Sequence, residues 1–444
     1  MLDLKNCQAG YARLDITPPL GTHLAGYFHA RAARGVLDPL YVRAIAFGQE
    51  DRRAVVLVCD LLGMYSAECL QWYQSLGEEL GLAPGALFIT CTHTHTAPII
   101  GEYRQKGDSQ YDAWLYRRLH DAALMAMDDL KPVTRVLGIN TQAPLMTFVR
   151  RWILTDGTGT TTPPFKTEAD RALLDHPASD TDESMRVMRI LRQDAPELVL
   201  VNYQVHPDCT GGDLISADFP GALCAKVEAE RPGTRCIYTN GGEGQMVRTD
   251  RLGQRGFNFD KGQVGAAAYG RMLADIVLGQ LDKATPTGAC GLSFGQRMLR
   301  ARSKRGLLTG DEALRIVTAY DEGRLEDIHT SRKEATYLAT EARHILEQER
   351  LGIDHYDLPV PGIVFCGLAF VGFAGEPFNE MGRAVRAASR HPVTSIFCQT
   401  NGSHCYLPMD FAFDQGGYEP RNTRLARGTA EQLVALAVEL LDEL

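Results

Sequence analysis

The chain has 444 residues, 45% of them apolar and 23% charged, with a formal net charge of −9. These proportions are globular, and they exclude a disordered chain, a collagen-like repeat and a disulfide miniprotein. The acidic balance and the absence of a Lys/Arg run argue against nucleic acid as a partner.

The start, Met1-Leu-Asp-Leu-Lys-Asn-Cys7, lacks the basic and apolar regions of a signal peptide. Apolar runs then recur along the chain and predict buried strands: Tyr41 to Phe47, Ala54 to Cys59, Ala86 to Cys91, Leu198 to Val205, Arg235 to Thr239 and Val393 to Cys398. Helical spacing between them predicts helices over Ala67 to Leu80, Asp112 to Leu130 and Gly262 to Leu281. Residues 155 to 182, rich in Thr, Gly, Pro and Asp, read as one long loop. Residues 309 to 350 read as a charged helical pair turning near Gly323. The most apolar uncharged stretch, Leu358 to Gly375, is broken by Pro359, Pro361 and glycines. It predicts two buried strands around Gly367 rather than a membrane span. Arg383, Arg386 and Arg390 form one helical face, expected to be solvated. The last segment, Ala430 to Leu441, predicts a helix with Thr429 as its N-cap. The alternation as a whole predicts an α/β protein. Eleven cysteines without a C-x-x-C suit reduced, buried thiols and a cytoplasmic location.

The chemistry concentrates at the predicted strand ends. Thr92-His93-Thr94-His95-Thr96 leaves a buried strand, and in an extended chain residues i and i+2 share a side. Two imidazoles placed together suit a metal ion; the plain alternative is two histidines bonded to backbone carbonyls. His206 ends the run from Leu198, and Pro207 stops it. Glu376, before Pro377, sits at a strand-to-helix junction, where a helix-capping role is the alternative and Pro377 the expected first helical residue. Gln399-Thr-Asn-Gly-Ser-His404-Cys-Tyr406 follows another strand, and Asp60 ends a fifth. In open α/β sheets, ligands gather beyond the carboxyl ends of the strands. A mixed N/O donor set without thiolates favours a catalytic zinc over a structural one, and other divalent metals suit the same donors. No H-E-x-x-H, G-x-S-x-G, Walker or G-x-G-x-x-G motif is present.

Taken in order, these segments resemble the neutral/alkaline (non-lysosomal) ceramidases. Ala9-Gly-Tyr-Ala-Arg-Leu-Asp15-Ile-Thr-Pro-Pro looks like the family's opening. Thr92-His-Thr-His-Thr-Ala-Pro98 is similar to its T-H-T-H-S-G-P, and Val205-His206-Pro207 to its second histidine motif. Gly375-Glu376-Pro377, Tyr406 and Tyr418 fall where the family places an acidic ligand and two tyrosines. The resemblance implies a Zn²⁺ held by His93, His206, Glu376 and Tyr406. It also implies that His95, Tyr418 and an arginine, either Arg150 or Arg151, stabilise negative charge on the substrate oxygen. For the fold it implies one large catalytic domain over 1–444, with buried mixed sheets flanked by helices like the family's N-terminal domain. Residues 309–350 would then be a helical insertion, and no C-terminal immunoglobulin-like domain is expected.

One segment departs from the family. Where its N-x-G-D-x-S-P carries a serine, Asn240-Gly-Gly-Glu243-Gly-Gln245-Met246 has Gln245. The expectation is therefore a cytoplasmic zinc hydrolase that cleaves an amide, or else an ester or lactone, in a small soluble substrate. Metal-activated water would replace the serine, with Glu243 as general base. A zinc-dependent lyase or isomerase, and a catalytically inactive ligand-binding relative, are the alternatives. A small molecule is the expected partner, with no nucleic acid and no membrane, and a homo-oligomer is the default for a soluble enzyme.

Overall fold

The computed structural model describes residues 6–65, 67–103, 105–288, 290–304, 306, 308–328 and 332–444, without side chains at 67–70, 102, 103, 105, 106, 332 and 333. The first five residues, read above for a leader, and the Cys69 thiol lie outside this description.

The apolar runs form two sheets. The larger contains β1 (Cys7–Asp15), β2 (Tyr41–Gln49), β3 (Arg52–Cys59), β4 (Leu87–Cys91), β5 (Lys131–Gln142), β6 (Ser184–Arg192), β7 (Glu197–Tyr203) and β8 (Thr234–Asn240). Its order is β8-β7-β6-β5-β1-β2-β3-β4, and Thr285–Pro286 adds a ninth short strand beside β5. The outer pairs β3/β4 and β7/β8 are parallel, and the strands between are antiparallel. The smaller sheet runs β9 (Leu292–Arg302), β10 (His355–Phe365), β11 (Leu368–Gly372) and β12 (Val393–Phe397), and its last pair is also parallel.

Both faces of the large sheet are buried, which is why its strands read as continuous apolar runs. Along β2, Val42, Ala44 and Ala46 point to one core while Ile45 and Phe47 point to another. The first core is closed by helices α1 (Ala67–Glu79) and α2 (Ser109–Asp128). The second joins Phe47, Val56 and Phe88 to Phe365, Phe370 and Phe397, so the two sheets pack face to face. Helices α3 (Asp218–Glu230) and α4 (Gln263–Leu281) cover β6 to β8. A helical pair follows, α5 (Gly310–Asp321) and α6 (Arg332–Leu351), turning at Gly323. Helices α7 (Asn379–Ala388) and α8 (Thr429–Glu443) cover the outer face of the small sheet. The result is a mixed α/β architecture of helices, sheet, sheet, helices. Among the described residues no helix is long and apolar enough to cross a membrane.

The structure corrects several expectations. Residues 155–182 are not one loop: Gly159–Thr161 and Leu174–Pro177 flank Arg151–Leu154 in a three-stranded sheet. Helix Glu168–Ala172, closed by a Thr167/Asp170 capping box, lies between them. Such short strands carry too few residues to show a period. Gly428, in the left-handed region at φ 85°, caps α8 in place of Thr429. Phe378 caps α7, and Pro377 instead pairs in a two-residue strand beside Tyr406–Leu407. Arg386 is half-buried and paired with Asp182 rather than solvated. Asp60 is taken by an ion pair with Arg43 at 2.8 Å. Cys7 and Cys290 are disulfide-bonded, with the Cys366 thiol 3.7 Å from Cys7 Sγ, so the thiols are not all reduced. The other described cysteines are buried free thiols.

Candidate metal centre

Five parallel-paired strand ends deliver the site. His93 and His95 follow β4, His206 follows β7, Glu243 follows β8, Glu376 follows β11, and Gln399 and Tyr406 follow β12. Two asparagines hold these ends together. Asn240 Nδ2 donates to Thr92 O at 3.3 Å and Val205 O at 3.1 Å, tying the two histidine loops to each other. Asn401, at φ 56°, bonds the open edge of β4 through Ile89 N at 2.8 Å and Leu87 O at 3.0 Å.

The His93 backbone is not extended. It turns into the left-handed region at φ 72°, uncommon outside glycine although histidine, asparagine and aspartate adopt it more than other residues, and donates its N–H to Leu61 O at 2.9 Å. The two imidazoles still meet, edge to face at 5.0 Å, but through this turn rather than through strand alternation. Strain of this kind is held where the surroundings over-determine it, and functional sites are where it clusters.

Each outer histidine has one nitrogen fixed. His93 Nδ1 lies 2.7 Å from Leu62 O, and His206 Nδ1 lies 2.9 Å from Glu243 O. A carbonyl only accepts, so a proton sits on each Nδ1, which leaves Nε2 as the nitrogen a metal would take. The Gln399 amide, 3.2 Å from His93 Nδ1, accepts the same proton once its oxygen faces that nitrogen, and Oε1 has no other partner. Both Nε2 atoms converge on Glu376 Oε2, at 3.5 Å from His93 and 3.3 Å from His206. Among the described residues, Oε2 has no hydrogen-bonding group near it besides these two imidazoles. Burial pushes the Glu376 carboxyl up and the His93 imidazole down, but each holds the other charged: Glu376 raises His93, and the protonated imidazole keeps Glu376 well below the usual range. The carbonyl-bonded alternative and the metal-site expectation thus describe different nitrogens of the same rings.

His95 stands beside these groups, its ring 5.7 Å from that of His206. Burial lowers its pKa to about 3, so it is neutral, and among the described residues neither ring nitrogen has a hydrogen-bond partner. Gly26, at φ 99°, cradles it: a Cβ there would lie 2.8 Å from the imidazole. Tyr27 lies tilted against it at 6.0 Å and donates to Asp208 at 2.5 Å, while Arg31 donates to His95 O at 2.8 Å. Glu243 is fully buried, with the Cys398 thiol beside its carboxylate, and it groups with His93 and Glu376.

Tyr406 pairs in register with Glu376, and its ring lies 6.4 Å from that of His206. Tyr418 packs edge-on against Tyr406 at 5.3 Å and accepts from Asn422 Nδ2 at 2.6 Å. Phe28 and Tyr337, the latter from the helical pair, flank the Tyr418 ring at 5.9 and 4.7 Å. Of the two arginines, Arg150 faces the centre, its Nη1 3.4 Å from His206 Nε2. Arg151 turns away to Gln415 and Glu419. His404 packs edge-on against Tyr356 at 5.0 Å. Gln245 also points elsewhere, donating to Asn379 at 2.7 Å and Glu380 at 2.7 Å.

Sequence reasoning missed Glu419, which joins Arg150 at 2.8 Å and Arg151 at 3.1 Å. The signal was available, since two adjacent arginines in a buried segment require a counter-charge. It also missed Tyr27, Arg31 and Asp208, which no local pattern connects to His95.

The arrangement is a histidine–carboxylate cluster on an α/β scaffold, with the donor types that suit a divalent cation. No family model matches the chain, and no curated protein matches it either. The fold is that of the neutral ceramidases. The crystal structure of neutral ceramidase from Pseudomonas aeruginosa is similar with a TM-score of 0.72 at 14% identity, covering 98% of this chain and 74% of that one. A ceramidase complexed with C2 is similar with a TM-score of 0.70 at 15% identity, covering 98% and 75%.

Proposed function

We propose that this chain is a metal-dependent hydrolase of an amide bond. The observation that carries the proposal is the convergence of two imidazole Nε2 atoms on one oxygen of Glu376. Ceramide, which the names of the structural neighbours state as substrate, is itself an amide.

The residues fit a zinc ion. His93, His206 and Glu376 would hold it, with Tyr406 as a fourth ligand beside Glu376, and their carbonyl-fixed Nδ1 protons are the outer partners that metal-binding histidines use. When bound, zinc supplies a Lewis acid that acidifies water and polarises a carbonyl.

The chain's own groups have separable tasks. Glu243 accepts the proton of the attacking water; burial raises its pKa to about 8, so it exchanges a proton near neutral pH. His95, Tyr418 and Arg150 face the oxygen on which negative charge develops. Arg151 and Glu419 hold Arg150 in place. Gln245 takes no part, because its amide is committed to Asn379 and Glu380.

The test is amine or acid release from a panel of amides, esters and lactones by zinc-loaded protein, wild type and Glu243→Gln. Amide turnover that falls at least 100-fold in Glu243→Gln with metal content unchanged supports the proposal. Equal turnover in the two proteins, or lactone and ester cleavage without amide cleavage, refutes it.

A further inference from the structure

Arg251 is only 6% exposed, and it differs from the other buried arginines of the chain in how little holds its charge. Arg43 pairs with Asp60, Arg150 and Arg151 with Glu419, Arg189 with Glu197 and Arg192 with Asp129. Three more are held by several neutral acceptors: Arg248 bonds the carbonyls of Phe259 and Asp260, Arg31 those of Gly212, Ala25 and His95, and Arg186 bonds Ser184 and Gln204. Among the described residues, Arg251 makes one hydrogen bond, from Nη1 to Pro163 O at 3.0 Å, and rests on the Phe165 ring at 4.8 Å. Its Nε is buried without a partner among the described residues, as in several of those arginines, so one bond is all that its five N–H donors make. The adjacent Asp250 gives its carboxylate to the Arg255 N–H at 2.6 Å instead.

Its surroundings make the deficit larger. Burial and the charge of Arg150 together lower its pKa to about 10, and no carboxylate opposes them. Arg150 is the arginine that faces the metal centre, and the chain joins the two locally: Thr162 N bonds Arg150 O at 2.8 Å, one residue before Pro163. Glu419, a fully buried carboxylate beside Arg150, is already shared by Arg150, Arg151 and Thr161 Oγ1. Burying an unpaired cation is costly, and a protein keeps such a group where a ligand completes it.

We propose that the substrate carries an anionic group, a carboxylate or a phosphate, that docks on the Arg251 guanidinium while its amide lies at the centre beside Arg150. The inference rests on the amide-hydrolase proposal and narrows it: the amide belongs to an acidic small molecule, such as an N-acyl amino acid or an N-acyl aminoalkyl phosphate. A guanidinium recognises either oxyanion through paired N–H donors.

The test uses two matched pairs, N-acetylglycine against N-acetylglycinamide, and N-acetyl phosphoethanolamine against N-acetylethanolamine. Binding by calorimetry and amine release are measured on zinc-loaded wild type, Arg251→Gln and Arg251→Lys. Wild type is expected to bind the anion at least 10-fold tighter than its neutral partner in one pair, which also tells carboxylate from phosphate. That ratio should fall to about one in Arg251→Gln and be partly kept in Arg251→Lys. The melting temperature of Arg251→Gln should stay level or rise, because an unpaired charge has been removed. A wild-type ratio near one in both pairs overturns the proposal. So does a ratio that survives in Arg251→Gln, which would assign the anion to the metal. An Arg251-dependent ratio without any amine release supports the anion site and rejects the hydrolase.

Discussion

Replacing Glu419 by Gln probes how the arginine pair is built. The carboxylate is fully buried and accepts from Arg150 Nε at 2.8 Å, Arg151 Nη1 at 3.1 Å and Thr161 Oγ1 at 2.6 Å. Glutamine keeps the volume but removes the charge and turns one acceptor into a donor facing donors. Breaking one side of a buried ion pair costs about 3–5 kcal/mol. Two guanidiniums lose their partner here, while Arg150 keeps Gly244 O at 2.7 Å and Arg151 keeps Gln415 at 3.0 Å. A loss of about 3–5 kcal/mol at pH 7 is therefore expected, measured from urea midpoints at fixed metal. The loss should also depend on pH. Burial alone would raise the Glu419 carboxyl, but Arg150 and Arg151 outweigh it and set the folded group below its usual range. Its stabilisation is then fully present above the ordinary carboxylate pKa and disappears as pH falls through the folded value. The gap between wild type and Glu419→Gln should hold from pH 8 to about 5 and shrink below. A gap under about 1 kcal/mol at pH 7, or one constant down to pH 3, would refute this reasoning.

Three further outcomes follow from the geometry. Gly26→Ala forces a Cβ to 2.8 Å from the His95 ring at a backbone φ of 99°, so turnover should drop at least 10-fold while metal content stays unchanged; normal turnover would show that His95 is not held there. Cys7→Ser removes a bridge spanning 283 residues and also prevents Cys366 from replacing Cys290, so stability should fall by about 2–5 kcal/mol and reductant should bring wild type to the same midpoint. A wild-type midpoint indifferent to reductant would contradict the bridge. In metal-free protein, Glu243→Gln should gain on wild type as pH rises from about 4 to 8, because the unfolded chain ionises Glu243 while the folded one, its pKa raised to about 8, resists; a gap independent of pH in urea titrations would count against its burial.

Much of the fold is legible in the sequence because double-sided burial leaves an unmistakable trace. Strands such as Ala54 to Cys59 are apolar at every position since both faces meet a core, and the Gly323 turn shows between two charged helical stretches. The site residues are legible because strand ends in parallel pairs converge, so residues remote in sequence become neighbours by rule. What was not legible is what depends on tertiary partners. The H-x-H pair meets through a left-handed turn at His93 that strand logic does not foresee. Pro377 suits a helix start but is captured by the strand at Tyr406–Leu407. The strands within 155–182 are too short for a pattern and form by pairing across Arg151–Leu154. The Cys7–Cys290 pairing has no local signal at all. Likewise, nothing in the Arg150-Arg151 dipeptide tells which guanidinium faces inward; Gln415 and Glu419 decide that.

Metal content per chain, measured by plasma mass spectrometry on wild type and His206→Ala after identical zinc reconstitution and desalting, tests the central claim most directly. The account predicts about one zinc per wild-type chain and almost none in the variant, because the variant loses one of two imidazole Nε2 atoms that converge on Glu376. Wild-type protein without stoichiometric metal, or a His206→Ala chain that retains it, would contradict the account.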